Sequence, residues 1–311
     1  MNVVEDFLAG QPFMVLDGAF GSELASRGFD TNDALWSAKA LLDAPQLVQE
    51  VHRDYYAAGA DVCTSASYQA SVDGFLRRGL SRDEARALIA RSVELLKQTR
   101  DEFTGERAAK NLPPALAAAS IGPYGAYLAD GSEYTGAYSL GVNGLREFHR
   151  ERIGILAAAE PDIFAVETIP LLEEAVAVML ELAPFDRIPA WVSFSCRDAR
   201  TTCGGDDIAE CAQALSRNPQ VAAIGVNCTD PRYIEELIGV IRSACDKPVV
   251  VYPNRGEQYD PFTKTWSGGA ESFVQYVERW HEAGARLIGG CCRTGPEDIA
   301  QVASFRDSLA A

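Results

Sequence analysis

The chain has 311 residues, 47% of them hydrophobic, and 28 Lys and Arg stand against 44 Asp and Glu for a formal charge of −16. That length can bury one large core, and no Pro/Gly/Ser-rich linker or charge run divides it, so residues 1–311 are expected to form a single domain. The acidic balance argues against nucleic acid, whose binding rests on clustered Lys and Arg, and suits a cationic small substrate.

The N-terminus, Met-Asn-Val-Val-Glu-Asp-Phe-Leu, carries acids where a signal peptide carries lysines. No apolar stretch approaches the ~18 residues of a membrane span. A cytoplasmic protein with no membrane partner is the expectation. Eight cysteines in such a chain favour metal or catalysis over a disulfide framework. No signal assigns an oligomeric state.

Short β-prone runs recur along the chain, at 13–16, 61–65, 115–121, 163–166, 190–195, 221–226, 248–252 and 286–288. Helical patterns fill the gaps. Pro45 opens one carrying Leu47, Val48, Val51 and Tyr55, and Ser81 with Glu84 forms a capping box ahead of Ala85, Leu88, Ile89, Leu95 and Leu96. Asp230-Pro231 opens another with Ile234, Leu237, Ile238 and Ile241 on one face, and Thr294 with Glu297 reads as a second capping box with Pro296 in the first turn.

Strands alternating with helices imply parallel pairing with right-handed crossovers, and eight such units close into an α/β (β/α)8 TIM barrel. The alternative is an open doubly wound sheet, which would gather its functional residues at one switch point. Here Asp17, Tyr68, Glu167, Cys228, Asn254, Cys291 and Cys292 fall at the C-terminal ends of strands from around the whole set. A barrel brings them to one mouth. Segments 122–143 and 254–269, long and rich in Gly, Tyr, Ser or Thr, are expected to fold over it as lids.

Cys228 closes the run Val-Ala-Ala-Ile-Gly-Val-Asn-Cys, while Cys291 and Cys292 follow Gly289-Gly290 at another strand end. Three thiolates make a soft tetrahedral site for Zn2+ with one position open for chemistry. The competing readings are a non-catalytic zinc barrel, a redox-sensing vicinal pair, or three packed thiols. Cys196 also ends a strand and is a rival ligand, whereas Cys63, Cys203, Cys211 and Cys245 read as packing. His52, His149 and His281 lie inside helical stretches and are read as surface or packing residues away from the mouth.

Asp17 and Glu167 facing one pocket can hold an ammonium, and free backbone amides from Gly18 and Ala19 to Gly21 can hold a carboxylate. Together they grip an α-amino acid. The same two acids could instead form a general acid/base pair, and Asp17 alone could merely cap a helix. Tyr68, Trp36, Tyr124, Tyr127 and Tyr134 add aromatic faces, of which one or two would meet a cation.

Leu16-Asp-Gly-Ala19, Ala66-Ser-Tyr-Gln-Ala70, Ser120-Ile-Gly-Pro-Tyr-Gly125, Val166-Glu-Thr168, Gly225-Val-Asn-Cys228, Val251-Tyr-Pro-Asn254 and Ile288-Gly-Gly-Cys-Cys-Arg293 resemble, in order, the homocysteine S-methyltransferases. The phrase Gly125-Ala-Tyr-Leu-Ala-Asp-Gly-Ser-Glu-Tyr134 is similar to the short enzymes that use S-methylmethionine. The resemblance implies zinc on Cys228, Cys291 and Cys292, the homocysteine amino group at Asp17 and Glu167, and its carboxylate at the backbone after Asp17. It also implies substrate contacts from Tyr68 and Asn254. The expected partners are L-homocysteine and a methyl sulfonium donor, S-methylmethionine before S-adenosylmethionine. Betaine comes third, because Thr168 stands where the betaine-using branch carries an aromatic residue. Arg255 departs from the small residue associated with the Tyr-Pro-Asn loop.

Overall fold

A computed structural model describes residues 2–31, 36–256, 258–260, 265–267 and 273–309, except for the side chains of Trp36, Ser37 and the two hairpin strands. The strands are β1 (Met14–Val15), β2 (Val62–Thr64), β3 (Leu116–Ile121), β4 (Ile163–Ile169), β5 (Ala190–Phe194), β6 (Val221–Asn227), β7 (Val249–Tyr252), β8 (Gln258–Asp260), β9 (Thr265–Ser267) and β10 (Ala285–Ile288). Eight of them form one sheet in the order β1-β10-β7-β6-β5-β4-β3-β2, every pair parallel. A parallel bridge between Leu16 and Val62 brings β1 back to β2. The expected (β/α)8 barrel is therefore what the chain builds, with all eight expected runs in it.

The eight barrel strands are buried on both faces apart from the half-buried Thr64 and Arg286, as parallel barrel strands must be. Alternate residues divide between two cores. Met14, Leu16, Ala118, Ile163, Ala165, Trp191, Val250 and Leu287 fill the lumen, and Val4 and Phe7 of the helix Val3–Leu8 pack against them. Val15, Phe164, Val166, Val192, Ile224 and Val251 face the surrounding helices. The period of two continues upward, so Ser120, Glu167, Ser193, Asn227 and Tyr252 follow the lumen-facing parity. The upper layer of the barrel interior is thus polar, and buried groups there must find partners.

The Ser81 capping box forms at the head of the helix Arg82–Glu102. The one expected at Thr294 does not. Asp298 accepts the Gly295 amide at 3.0 Å ahead of the helix Pro296–Leu309, and the Thr294 hydroxyl instead donates to the Cys291 carbonyl at 2.7 Å. Thr294 is thereby committed to the turn that carries the cysteines. Asp230-Pro231 opens a 3-10 turn, Pro231–Tyr233, before the helix Ile234–Ala244 begins. The second expected lid contains the antiparallel β8–β9 hairpin, which alternation did not suggest. No helix among the described residues is long and apolar enough to cross a membrane.

Candidate active site and metal centre

The chain leaves β6 at Asn227 and β10 at Ile288, and the two exits place Cys228 opposite Cys291 and Cys292. All three sulfurs lie within 4.8 Å of one another, with Cys228 Sγ 3.6 Å from Cys292 Sγ. A tetrahedral zinc with Zn–S of about 2.3 Å requires sulfurs about 3.8 Å apart, so the donor set and its spacing fit the ion. Cys196 is not in this group; its amide bonds Thr229 Oγ1 at 3.0 Å on the far side of β5. Gly289 and Gly290 serve close approach rather than unusual backbone angles. A Cβ on Gly289 would meet Leu16 Cβ at 2.5 Å, and one on Gly290 would meet Thr294 Oγ1 at 2.2 Å.

Thr168 and Cys228 both adopt left-handed backbone, at φ 59° and 50°, a conformation costly for any residue with a Cβ and most so for the β-branched Thr168. Asn227 holds the first of them. Its Oδ1 accepts the Thr168 amide at 2.7 Å and Ser193 Oγ at 2.8 Å, and its Nδ2 donates to Thr168 Oγ1 at 2.8 Å. One side chain thereby couples the end of β4, which bears Glu167, to the residue preceding Cys228.

Glu167 accepts a short hydrogen bond from Ser120 Oγ and another from Tyr252, whose hydroxyl also meets Ser193 Oγ at 2.6 Å and Trp191 Nε1 at 3.0 Å. Burial nevertheless pushes its carboxyl up to about 7. Asp17 lies in the turn after β1, with Oδ2 taking the Thr64 amide at 2.7 Å and the Thr64 hydroxyl at 3.1 Å. Burial raises it to about 8; the Thr64 amide opposes the rise and Glu167 adds to it. Two acids with no basic partner among the described residues are poised inside one mouth for an incoming cation.

Gly18 is fixed by the approach of Thr294 O and the Tyr55 ring, at 2.8 and 2.9 Å from any added Cβ. The Ala19 amide is not free as expected, since it donates to Thr294 O at 2.9 Å. The helix Phe20–Ser26 that follows starts with no side chain capping its first turn, so amides for a carboxylate lie one step further along. Tyr68 is hydrogen-bonded through its phenol to Thr168 and senses the charges of Glu133, Cys228 and Glu167, which places it among them. Asn254 Oδ1 is buried without a partner. Its neighbours run alongside the cysteine turn, Pro253 O accepting the Cys291 amide at 2.8 Å and Arg255 N donating to Cys292 O at 3.1 Å.

The loop after β3 closes over this centre through the helix Tyr124–Leu128 and the 3-10 turn Ser132–Tyr134, with Tyr134 Oη 3.3 Å from Cys228 Sγ. Of the other aromatics, Tyr124 and Tyr127 pack on Phe148 rather than on the cysteines, and the side chain of Trp36 lies outside the described residues. His149 departs from its expected role apart from the mouth. Wholly buried, it meets Glu174 Oε1 through Nε2 and Arg152 through Nδ1, both at 2.7 Å. Burial lowers its basicity, and the arginine fixes the neutral tautomer with the proton on Nε2. Glu174 also takes the Tyr124 amide at 2.6 Å and the Tyr138 hydroxyl, while Arg152 holds the Gly122 and Tyr68 carbonyls. This cluster fastens the loop to the barrel wall. His52 does pack as expected, 5.1 Å from the Phe20 ring.

Ser120, Thr64, Ser193, Asn227, Tyr252, Glu133, Glu174 and His149 were not singled out as site residues by sequence reasoning. For those on strands the signal was present, as polar residues on the lumen parity of apolar runs.

Residues 14–305 match the family model described as homocysteine S-methyltransferase. The homocysteine S-methyltransferase YbgG of Bacillus subtilis is 50% identical over 99% of both chains. Homocysteine S-methyltransferase 4 of Zea mays is 49% identical over 93% of this chain and 88% of its own. The metallated crystal form of the Escherichia coli homocysteine methyltransferase MmuM superposes with a TM-score of 0.88 at 40% identity, covering 98% of this chain and 100% of that one. With the match spanning every barrel strand and the cysteine turns together, the chain belongs to the homocysteine S-methyltransferase family and is a methyltransferase acting on homocysteine.

Proposed function

We propose that the methyl group comes from a sulfonium, S-methylmethionine in the first place and S-adenosylmethionine in the second, and that Zn2+ on Cys228, Cys291 and Cys292 is required. The supporting observation is the convergence of three sulfurs at a mouth that also holds two buried carboxyls and, among the described residues, no basic partner for them. Bound there, zinc supplies the acidity that ionises an incoming thiol at neutral pH. Asp17 and Glu167 hold the ammonium of homocysteine, the uncapped amides at the start of the helix Phe20–Ser26 hold its carboxylate, and the thiol end is left to reach the cysteines. A thiolate and a sulfonium become two neutral thioethers by in-line displacement at the methyl carbon. No side chain need accept a proton at that carbon, so both acids act by positioning. Thr168, occupied with Asn227 and Tyr68, offers no aromatic face to the quaternary ammonium of betaine.

The direct test is homocysteine methylation with each donor, on zinc-loaded and chelator-treated protein side by side. Methionine is expected from S-methylmethionine only when metal is present, with activity returning on zinc addition. Turnover that survives complete demetallation, or that occurs with betaine alone, would sink the proposal.

The raised carboxyls carry a pH signature. Burial raises Asp17 to about 8 and Glu167 to about 7, and an ammonium between them would lower both values. Ligand affinity should therefore be full above these values and be lost as pH falls through them, by roughly tenfold per unit for each proton displaced. Methionine isolates the effect, having the same head group and no thiol proton to lose. Calorimetry should show its binding to zinc-loaded enzyme weaken from about pH 8 to about pH 6, below the range in which its own ammonium titrates, with release of protons. A flat profile contradicts the ammonium assignment.

A further inference from the structure

Glu133 sits in the 3-10 turn Ser132–Tyr134, next in sequence to the tyrosine that touches Cys228. Its backbone is held in place. The carbonyl accepts Ser195 Oγ at 3.2 Å, and the turn packs so closely on Gly125 that a Cβ there would lie 2.4 Å from the Glu133 amide. Its half-buried side chain has less support, taking a hydrogen bond only from its own backbone amide among the described residues. Oε2 is buried with no hydrogen-bond partner, and no Lys or Arg pairs with it among the described residues. The buried acids among the described residues are all partnered by other residues: Asp61 and Glu181 by arginines, Glu174 by His149 and Tyr138, Asp17 by Thr64, Glu167 by Ser120 and Tyr252, and Asp298 by the Gly295 amide.

An unpaired buried carboxylate oxygen is costly and calls for a ligand that completes it. Glu133 lies beside the reaction centre: the next residue, Tyr134, reaches Cys228 Sγ at 3.3 Å, and the charges of Glu133 and Cys292 act on one another. Around this mouth, then, are three carboxyls. Two are assigned to the ammonium of homocysteine, which leaves Glu133 for a second cation.

A sulfonium donor that is itself an amino acid brings two positive centres, and the chemistry chooses between them. Positive charge at the sulfonium disappears as the methyl moves, so a carboxylate placed there would stabilise the ground state more than the transition state and slow the reaction. Charge at an ammonium persists throughout, and a carboxylate there binds both states equally. We infer that the Glu133 carboxylate receives the α-ammonium of the methyl donor, making the enzyme selective for amino-acid sulfoniums over sulfoniums that lack the amino group. This inference rests on the sulfonium reading above.

Glu133→Gln keeps the shape and removes the charge. On zinc-loaded enzyme the KM for S-methylmethionine should rise roughly 10- to 100-fold, the value of a lost charge-assisted hydrogen bond, with turnover at saturating donor within about twofold. Zinc content and the KM for homocysteine should not move. The second arm uses 3-(dimethylsulfonio)propionate, which has the sulfonium and no ammonium, measured as substrate or as inhibitor against S-methylmethionine. Its apparent affinity should be the same in both proteins. An unchanged KM for S-methylmethionine overturns the inference, as does equal weakening of both sulfoniums or a fall in turnover without a change in KM. A wild-type enzyme that uses no sulfonium at all overturns the underlying reading first, and that result is seen before any variant is made.

Discussion

Replacing Cys228 by serine is expected to remove metal and turnover together. Serine keeps the size, and its amide can still donate to Tyr252 O as that of Cys228 does at 3.2 Å. What it loses is a thiolate, since an alcohol stays protonated at neutral pH and is a poor ligand for a borderline-soft ion. Losing one partner that merely orients a ligand costs ~10–100-fold in metal affinity or activity, so losing a ligand outright should cost at least about a thousandfold. Zinc per chain by elemental analysis and methionine formation should both collapse while the melting transition stays cooperative. Cys196→Ser is the control, because that thiol stands outside the three-sulfur group, and it should retain full metal occupancy. A Cys228→Ser protein holding one zinc per chain with more than about a tenth of wild-type activity would end the case for this centre.

The barrel and its cysteines were legible because each announces itself locally. Eight apolar runs define the strands, and Gly225-Val-Asn-Cys228 and Gly289-Gly-Cys-Cys292 mark two of their exits. What could not be read locally is which polar residues complete one another. Asn227 and Thr168 lie 59 residues apart, and Thr64 lies 47 from Asp17. His149 looked like an outer-helix residue because its helix is on the outside; only the fold of the loop after β3 turns it into a fastening beneath Tyr124 and Tyr138. Thr294 had the spacing of a helix cap, but its hydroxyl donates to the carbonyl of Cys291 instead. In each case tertiary proximity outweighed a local preference, and it did so near the mouth, where the chain trades regularity for function.

At the opposite end of the barrel, Asp61→Ala should destabilise the protein by about 3–5 kcal/mol, the usual consequence of removing one member of a buried ionic group. Asp61 is fully buried just before β2, where its amide donates to Val15 O at 2.7 Å and its Oδ2 takes the Val15 amide at 2.7 Å. A side chain thus supplies a rung of the ladder that closes the barrel between its first and second strands. The same carboxylate meets Arg107 at 2.6 Å and Arg306 at 2.5 Å, and both guanidiniums are buried. Alanine would leave two enclosed cations facing each other and one strand amide unpaired. For a chain of this size the melting temperature should fall by roughly 10 °C. Because the residues lie at the strand starts, far from the cysteine turns at the strand ends, kinetics at about 25 °C should be unaltered in the protein that remains folded. Replacing Asp61, Arg107 and Arg306 together by apolar residues should cost less than Asp61→Ala alone, since the triple change removes the stranded charges as well as their partner. If the single variant melts within about 2 °C of wild type, the closure of the barrel does not depend on this carboxylate. If the triple variant is the less stable of the two, the ionic group contributes through its attraction rather than through the penalty of its disruption.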